Sequence, residues 1–332
     1  MKKIVKKCMT IFLAMMMTLS VLACGKQGME EEIPSEVRVG SLKGPTSIGL
    51  VELMERAEKK ETENTYSFTM ETAADTLLTM MIQKELDIAL VPANVASVLY
   101  NKTEGQVVVI DINTLGVLYM LSGDESIESI QDLKGKTIYL TGKGTTPDYV
   151  LQYVLEENGL SLEDITLEYK AEATEVAAHL NMDENAIGLL PQPFATATLA
   201  KNENLTTIFD MNDEWDKLQS DEKSMMVTGV TVVRKEFLEE NEGAVSLFLK
   251  DHRQSAEYVN SNLDEAAGFV VKTGIIEKEP IAKKAIPYCN IAYIDGEKMK
   301  DALSGYLTVL YNKDAKAVGG KLPGDDFYYL GK

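Results

Sequence analysis

Residues 85–94 read Glu-Leu-Asp-Ile-Ala-Leu-Val-Pro-Ala-Asn. Asp87 to Val91 has the composition of a strand running into Pro92, and Ala93 to Asn101 resumes as a helix. Working upstream, Val37 to Ser41 is a β-rich run, Gly44-Pro45 breaks it, and Ile48, Val51, Leu53 and Met54 follow at helical spacing. Tyr66 to Met70 is a second strand and Ala73 to Lys84 a second helix. Downstream, Val107 to Ile112 and Gly116 to Leu121 are extended, separated by Asn113-Thr114.

The same order then returns. Thr137 to Thr141 predicts a strand, Gly142 to Pro147 a turn and Asp148 to Asn158 a helix; Ile165 to Tyr169, Ala173 to Asn181 and Ala186 to Leu190 follow as strand, helix and strand into Pro191. Lys43-Gly44 and Lys143-Gly144 are one hundred positions apart, and Leu90-Val91-Pro92 and Leu189-Leu190-Pro191 are ninety-nine apart. The order of elements predicts two βαβαβ units, hence an α/β protein with mainly parallel sheets and helices on both faces. Beyond them, Leu205 to Phe209 and Ser224 to Val233 are extended. Helices are expected at Glu236 to Asn262, Asp264 to Thr273, Pro280 to Ala285 and Gly296 to Tyr311, and the tail with Phe327, Tyr328 and Tyr329 is expected to pack back on the body.

The N-terminus carries a different message. Lys2, Lys3, Lys6 and Lys7 precede an apolar stretch from Met9 to Leu22, and Val21-Leu22-Ala23-Cys24-Gly25 sets a small residue before a cysteine. The stretch is short for a membrane span and has the basic flank and cleavage site of an export signal. Residues 1–23 are therefore expected to be a removed signal, and Cys24, in a lipobox resembling that of bacterial lipoproteins, the lipidated N-terminus. Residues 24–36 are expected to be a polar tether. Losing four lysines and no acid would take the formal charge from −19 to −23. A surface this acidic makes nucleic acid an unfavourable partner. With Cys8 in the signal and Cys24 lipidated, Cys289 remains alone, so no intramolecular disulfide can form; a buried, inert thiol is expected.

Several chemistries are excluded. The two histidines, His179 and His252, lie in predicted surface helices without ligand spacing, so neither a zinc site nor a serine triad is expected. Gly135-Lys136-Thr137 lacks the phosphate-loop spacing, and no dinucleotide fingerprint follows a strand. No cofactor or metal is expected.

What remains is a set of polar, Gly- or Pro-marked loops at the carboxyl ends of strands, the edge where open α/β sheets bind ligands. Ser41, Gly44, Pro45 and Thr46 form the first, Asn94 follows Pro92, Asn113 and Thr114 follow a strand, Thr145 and Thr146 precede a helix, and Gln192 and Phe194 flank Pro193. The threonines at helix starts fit either a capping role or donation to an anion. Asn94 and Gln192 fit either turn bonds or a ligand between domains, and Phe194 either core or a flat ligand. Trp215 is expected to pack, and Lys43 and Lys143 to be solvated.

The lipobox, Val37-Arg38-Val39-Gly40, the 85–94 stretch and Ser129-Ile-Gln-Asp-Leu-Lys-Gly-Lys-Thr-Ile138 together resemble the substrate-binding lipoproteins of ABC importers, in the nitrate/sulfonate/taurine and thiamine-precursor group. The resemblance implies a type II periplasmic-binding-protein fold. Its two α/β lobes would be 37–115 with 231–332, and 116–230, joined by two crossover strands. It also implies a monomeric extracytoplasmic receptor, lipid-anchored to the membrane, that closes on a small-molecule ligand, an anion or small heterocycle, and delivers it to an importer permease. The alternative is an enzyme of this fold. The pyrimidine-precursor synthase of thiamine biosynthesis needs a cysteine-rich motif missing here, and the dehydratase of a menaquinone route is cytoplasmic, whereas this chain carries an export signal.

Overall fold

The computed structural model describes residues 36–219 and 224–331. The signal, Cys24 and the tether up to Ser35 lie outside the described residues. The first run of elements is β1 (Glu36–Leu42), α1 (Pro45–Ile48), α2 (Val51–Glu58), β2 (Thr65–Glu71), α3 (Ala74–Ile82), β3 (Ile88–Pro92), α4 (Ala93–Lys102) and β4 (Val107–Leu115). A second run follows as β5 (Leu118–Ser122), β6 (Thr137–Thr141), α5 (Thr146–Glu157), β7 (Thr166–Lys170), α6 (Ala173–Met182), β8 (Ile187–Pro191), α7 (Phe194–Leu199), β9 (Thr206–Asp210) and α8 (Met211–Lys217). The chain ends with β10 (Val227–Arg234), α9 (Lys235–Glu240), α10 (Glu242–Ser261), α11 (Leu263–Lys272), α12 (Glu279–Ala285), β11 (Ile291–Ile294) and α13 (Gly296–Lys313).

These strands form two sheets, ordered β11-β4-β10-β3-β1-β2 and β7-β6-β8-β5-β9. In the first, β1 pairs in parallel with β2 and β3, and β10 enters antiparallel between β3 and β4. In the second, β6 pairs in parallel with β7 and β8, and β5 enters antiparallel between β8 and β9. Each unit thus receives one strand from a crossover, and the expected duplicated, two-lobe α/β architecture is what the chain adopts. Ile88 to Val91 is buried along its length, as a central strand covered on both faces must be.

Four expectations need correction. Asn113 and Thr114 are not a loop but the last turn of pleat in β4, bonded to β10 and β11. The helices expected over 48–54 and 236–262 are each broken, at Gly49-Leu50 and at Asn241. Val227 to Val230, assigned from sequence to the second lobe, pair with β3 and β4 in the first sheet. The short β11 was not foreseen.

The last helix joins the two halves. Met299, Ala302, Leu303, Tyr306, Leu307 and Leu310 of α13 repeat at three- and four-residue spacing and are all buried, against α4, β4 and β10 on one side and α5 on the other. Its end is fixed to the second lobe by a Lys313–Glu156 ion pair, and Tyr149 donates to Asp314 Oδ2 just beyond at 3.1 Å. Trp215 is enclosed between Tyr153 and Tyr306, at ring separations of 4.6 and 5.4 Å. The tail packs back as expected: Phe327 is buried and Tyr329 N–H bonds Val109 O. Cys289 is buried, and burial pushes its thiol up to about 12, so it is a small apolar filler. No helix among the described residues is long and apolar enough to cross a membrane.

Candidate functional site

The carboxyl end of β1 turns through Gly44, at φ 141° a conformation that L residues rarely adopt, into Pro45 at the first position of α1. Thr46 does not cap that helix. Its Oγ1 donates back to Leu42 O at 2.8 Å, while Ser47 Oγ lies 2.7 Å from the same carbonyl and 2.8 Å from Ser41 Oγ. Ser41, Thr46 and Ser47 are all buried. At the end of β4, Thr114 donates to Asn113 Oδ1 at 2.9 Å. Gly229 of β10 brings these two places together. A methyl group built on it would stand 2.5 Å from both Thr46 Cγ2 and Asn113 Oδ1, and 3.3 Å from Thr114 Cβ, so Thr46, Asn113 and Thr114 meet over a backbone that must lack a side chain.

Immediately beyond, the first crossover passes between two amides. Gly116 N–H donates to Asn212 Oδ1 of α8, and Gly116 O accepts from Asn290 Nδ2 beside β11. A side chain on Gly116 would strike Asn212 and Met226 Sδ at 2.8 and 2.9 Å. Asn212 and Asn290 come from the two lobes and were not singled out from sequence, since neither stands in a repeated stretch.

The other sequence-derived positions do not join this cluster. Gln192 is buried, with Oε1 accepting from Thr196 N and Oγ1. Asn94 Nδ2 donates to Ala317 O at 3.3 Å. Thr145 is exposed and its hydroxyl donates to Gly142 O, while Thr146 opens α5 half-buried without a side-chain capping bond. Phe194 is not core: it is 39 % exposed and lines a groove between the lobes with Ile275, Ile276 and Ile281. Lys43 is exposed, and Lys143 lies 5.3 Å from the Tyr169 ring.

Between the lobes lies a crevice of about 660 Å³. Tyr119, Gln192, Thr207 and Asp210 line it from the second sheet, Lys284 and Tyr288 from the α12 segment. Tyr119 Oη donates to Tyr288 O at 2.8 Å across the seam. Burial pushes the Tyr119 hydroxyl up and, against the pull of backbone donors, raises the Asp210 carboxyl from its ordinary value. Lys283 pairs with Asp264, whereas Lys284 makes no ion pair among the described residues. The crevice and the cluster adjoin through one short segment, since Tyr288 lines the first and Asn290 bonds Gly116 beside the second.

His252 corrects the surface expectation. It is fully buried on α10, its Nδ1 3.2 Å from Asp111 Oδ2. His179 is half-buried and stacks on Tyr139 at 4.6 Å. Among the described residues no group of three or more His, Cys, Asp or Glu could hold a metal ion.

A duplicated pair of parallel sheets, each completed by an antiparallel crossover strand, defines the periplasmic-binding-protein fold, and known structures agree. An ABC transporter from Parabacteroides distasonis superposes with a TM-score of 0.75 at 24% identity, covering 89% of this chain and 99% of that one. The periplasmic aliphatic sulphonate binding protein SsuA from Escherichia coli gives 0.72 at 16% identity over 89% and 92% of the two chains. The alkanesulfonate-binding protein SsuA from Xanthomonas axonopodis pv. citri, bound to MOPS, gives 0.60 at 14% over 88% and 95%. The chain belongs to the family described as Menaquinone biosynthesis, whose profile matches residues 37–311. No curated protein sequence matches it.

Proposed function

We propose that this protein is an extracytoplasmic solute receptor that captures a small polar molecule between its lobes and hands it to an ABC importer. The observation that carries this is the crevice at the lobe seam. Its volume suits a small metabolite, it is walled by both halves of a two-lobe fold, and several hydroxyls, the Gln192 amide, the Asp210 carboxyl and Lys284 line it. Neutral donors with Lys284 suit an oxyanion-bearing solute, a sulfonate or carboxylate, and the aliphatic sulphonates bound by similarly folded proteins favour that class. Ser41, Thr46, Asn113, Thr114 and Gln192, with Gly44 and Pro45 shaping the turn, are proposed to face the ligand or to support the residues that do. Cys24 is proposed to carry the lipid that holds the receptor at the membrane.

A thermal-shift panel of aliphatic sulfonates, short carboxylates and pyrimidines tests the receptor role. A ligand at a hundred times its dissociation constant stabilises by about 2.7 kcal/mol. A panel that moves no melting temperature sinks the proposal. Cys24→Ala is expected to move the protein from the membrane to the soluble or secreted fraction, and retention in the membrane would refute the anchor.

The family description favours a second reading, an enzyme of the same fold. Against it, the cluster over Gly229 contains no titratable side chain and the His252–Asp111 pair is enclosed; the titratable groups an enzyme could use, Asp210 and Tyr119, line the crevice instead. Mass spectrometry of any panel hit after incubation with the protein decides: chemical turnover favours the enzyme, unchanged ligand the receptor.

A further inference from the structure

Behind the contact over Gly229, a chain of buried polar side chains runs into the first lobe. Asp111, Asn113, Thr114, Thr231 and His252 are all at most 1 % exposed. Thr231 Oγ1 is 2.8 Å from Asp111 Oδ1, His252 Nδ1 3.2 Å from Asp111 Oδ2, and Asn113 Nδ2 3.2 Å from Thr231 Oγ1.

The direction of every hydrogen follows from one end. Carboxylate oxygens only accept, so Thr231 must donate its single hydrogen to Asp111, and His252 must carry its hydrogen on Nδ1. The Thr231 oxygen is then left only to accept. Asn113 must therefore turn its NH₂ toward Thr231, which places Oδ1 on the side where Thr114 donates and against the bare Cα of Gly229. The alternative flip of the amide would set a carbonyl oxygen against an oxygen with no hydrogen to offer, unsatisfied in a buried place.

We propose that Asp111, acting through Thr231 and held by His252, is the positioning residue that locks the Asn113 amide in one orientation at the ligand seam. This rests on the receptor proposal only for its effect on affinity; the locking is a property of the unliganded protein. It gives the buried pair a task that hydrophobic residues of equal size could not perform, since only an acceptor-only group at the far end dictates the flip.

The experiment is side-chain amide NMR on the full mature chain, alone and with ethanesulfonate as probe, in the parent, Thr231→Val and Thr231→Ser. In the unliganded parent one Asn113 side-chain N–H is expected to exchange slowly; Thr231→Ser keeps that protection and Thr231→Val abolishes it. An unprotected parent amide, or protection that survives Thr231→Val, overturns the proposal. With ethanesulfonate, Thr231→Val is expected to weaken binding about tenfold or more while Thr231→Ser stays within about twofold of the parent. A merely structural role would lower the melting temperature of Thr231→Val and leave its affinity intact, which also overturns the link to the ligand. A parent that does not bind ethanesulfonate removes the sulfonate reading, and the exchange measurement still decides the locking. Should Thr231→Val not fold, Thr231→Ala supplies the same two readouts.

Discussion

The two lobes match strand for strand, β2-β1-β3-β10-β4 against β7-β6-β8-β5-β9, yet at equivalent positions they are built from different chemistry. Before β3 stands Asp87, 2 % exposed, gripped by Arg38 Nε and Nη2 at 2.9 and 2.6 Å and by Arg234 Nη2 at 2.7 Å. Val39 pairs with Ile88 as Ile138 pairs with Ile187, so ninety-nine positions on Arg38 and Asp87 give way to Thr137 and Ala186, and the described residues of the second lobe hold no such clasp. The glycine loops differ in the same way. Thr46 is buried beneath the later chain, whereas its counterpart Thr146 is half-buried and Thr145 beside it stands in solvent; Lys43 and Lys143 are exposed alike. Topology follows from the order of strands and helices that the lobes share; environment follows from the side chains each lobe sets on that shared frame and from β10, whose Arg234 and Gly229 complete the clasp and the threonine turn of the first lobe.

Asp87→Asn should break the comparison hardest. Removing one member of a buried ion cluster leaves the others uncompensated at a typical cost of about 3–5 kcal/mol; Arg38 is partly exposed and screened, so about 3 kcal/mol is expected. Chemical denaturation should show the loss, with the first lobe losing protection from hydrogen exchange before the second. Burial alone would raise the Asp87 carboxyl, but the arginine bonds more than offset it and hold it below the ordinary value. Its contribution is therefore fully present above the unfolded pKa of about 3.9 and is lost as pH falls through the still lower folded value. Asp87→Asn should flatten that acid limb. An unchanged limb would mean the clasp contributes little.

Gly229→Ala is next. The added methyl has no room between Asn113 and Thr46, and overpacking of this kind costs about 1–3 kcal/mol. If Gly229→Ala is as stable as the parent by denaturant titration, the meeting of β1, β4 and β10 is looser than described.

How far these features were legible varies with their physics. Strand and helix order could be read because burial imposes a period, and the five-residue strands at Asp87 and Ala186 were found within a residue or two. Asn113 and Thr114 were misread as a loop, since polar residues in a strand look like a turn when the hydrogen bonds that satisfy them come from β10, over a hundred positions away. His252 had a readable signal: Val245, Phe248, His252, Ala256 and Val259 share one helical face, which places the histidine inside despite its polar neighbours. Asn212 and Asn290 had none, because their role exists only once Gly116 passes between them.

The smallest expected effect separates the matched threonine loops. Thr46→Val removes a buried hydroxyl donor but keeps its shape, and Leu42 O retains Ser47 Oγ as a partner, so the cost should be about 1 kcal/mol. Thr145 makes only a local bond to Gly142 O in an exposed turn; its side chain accepts nothing from α5, and Asp148 Oδ2 instead takes Gly144 N–H at 2.8 Å. Thr145→Ala should then cost about 0.5 kcal/mol or less. Capping predicts the opposite order, because an N-cap threonine typically loses about 0.5–2 kcal/mol on truncation while a threonine inside a four-residue helix has little to cap. Melting curves of both variants under one condition decide between them. If Thr145→Ala proves the more costly, helix initiation in the second lobe depends on its loop, and the contrast between a buried, cross-bonded first loop and a free-standing second one must be abandoned.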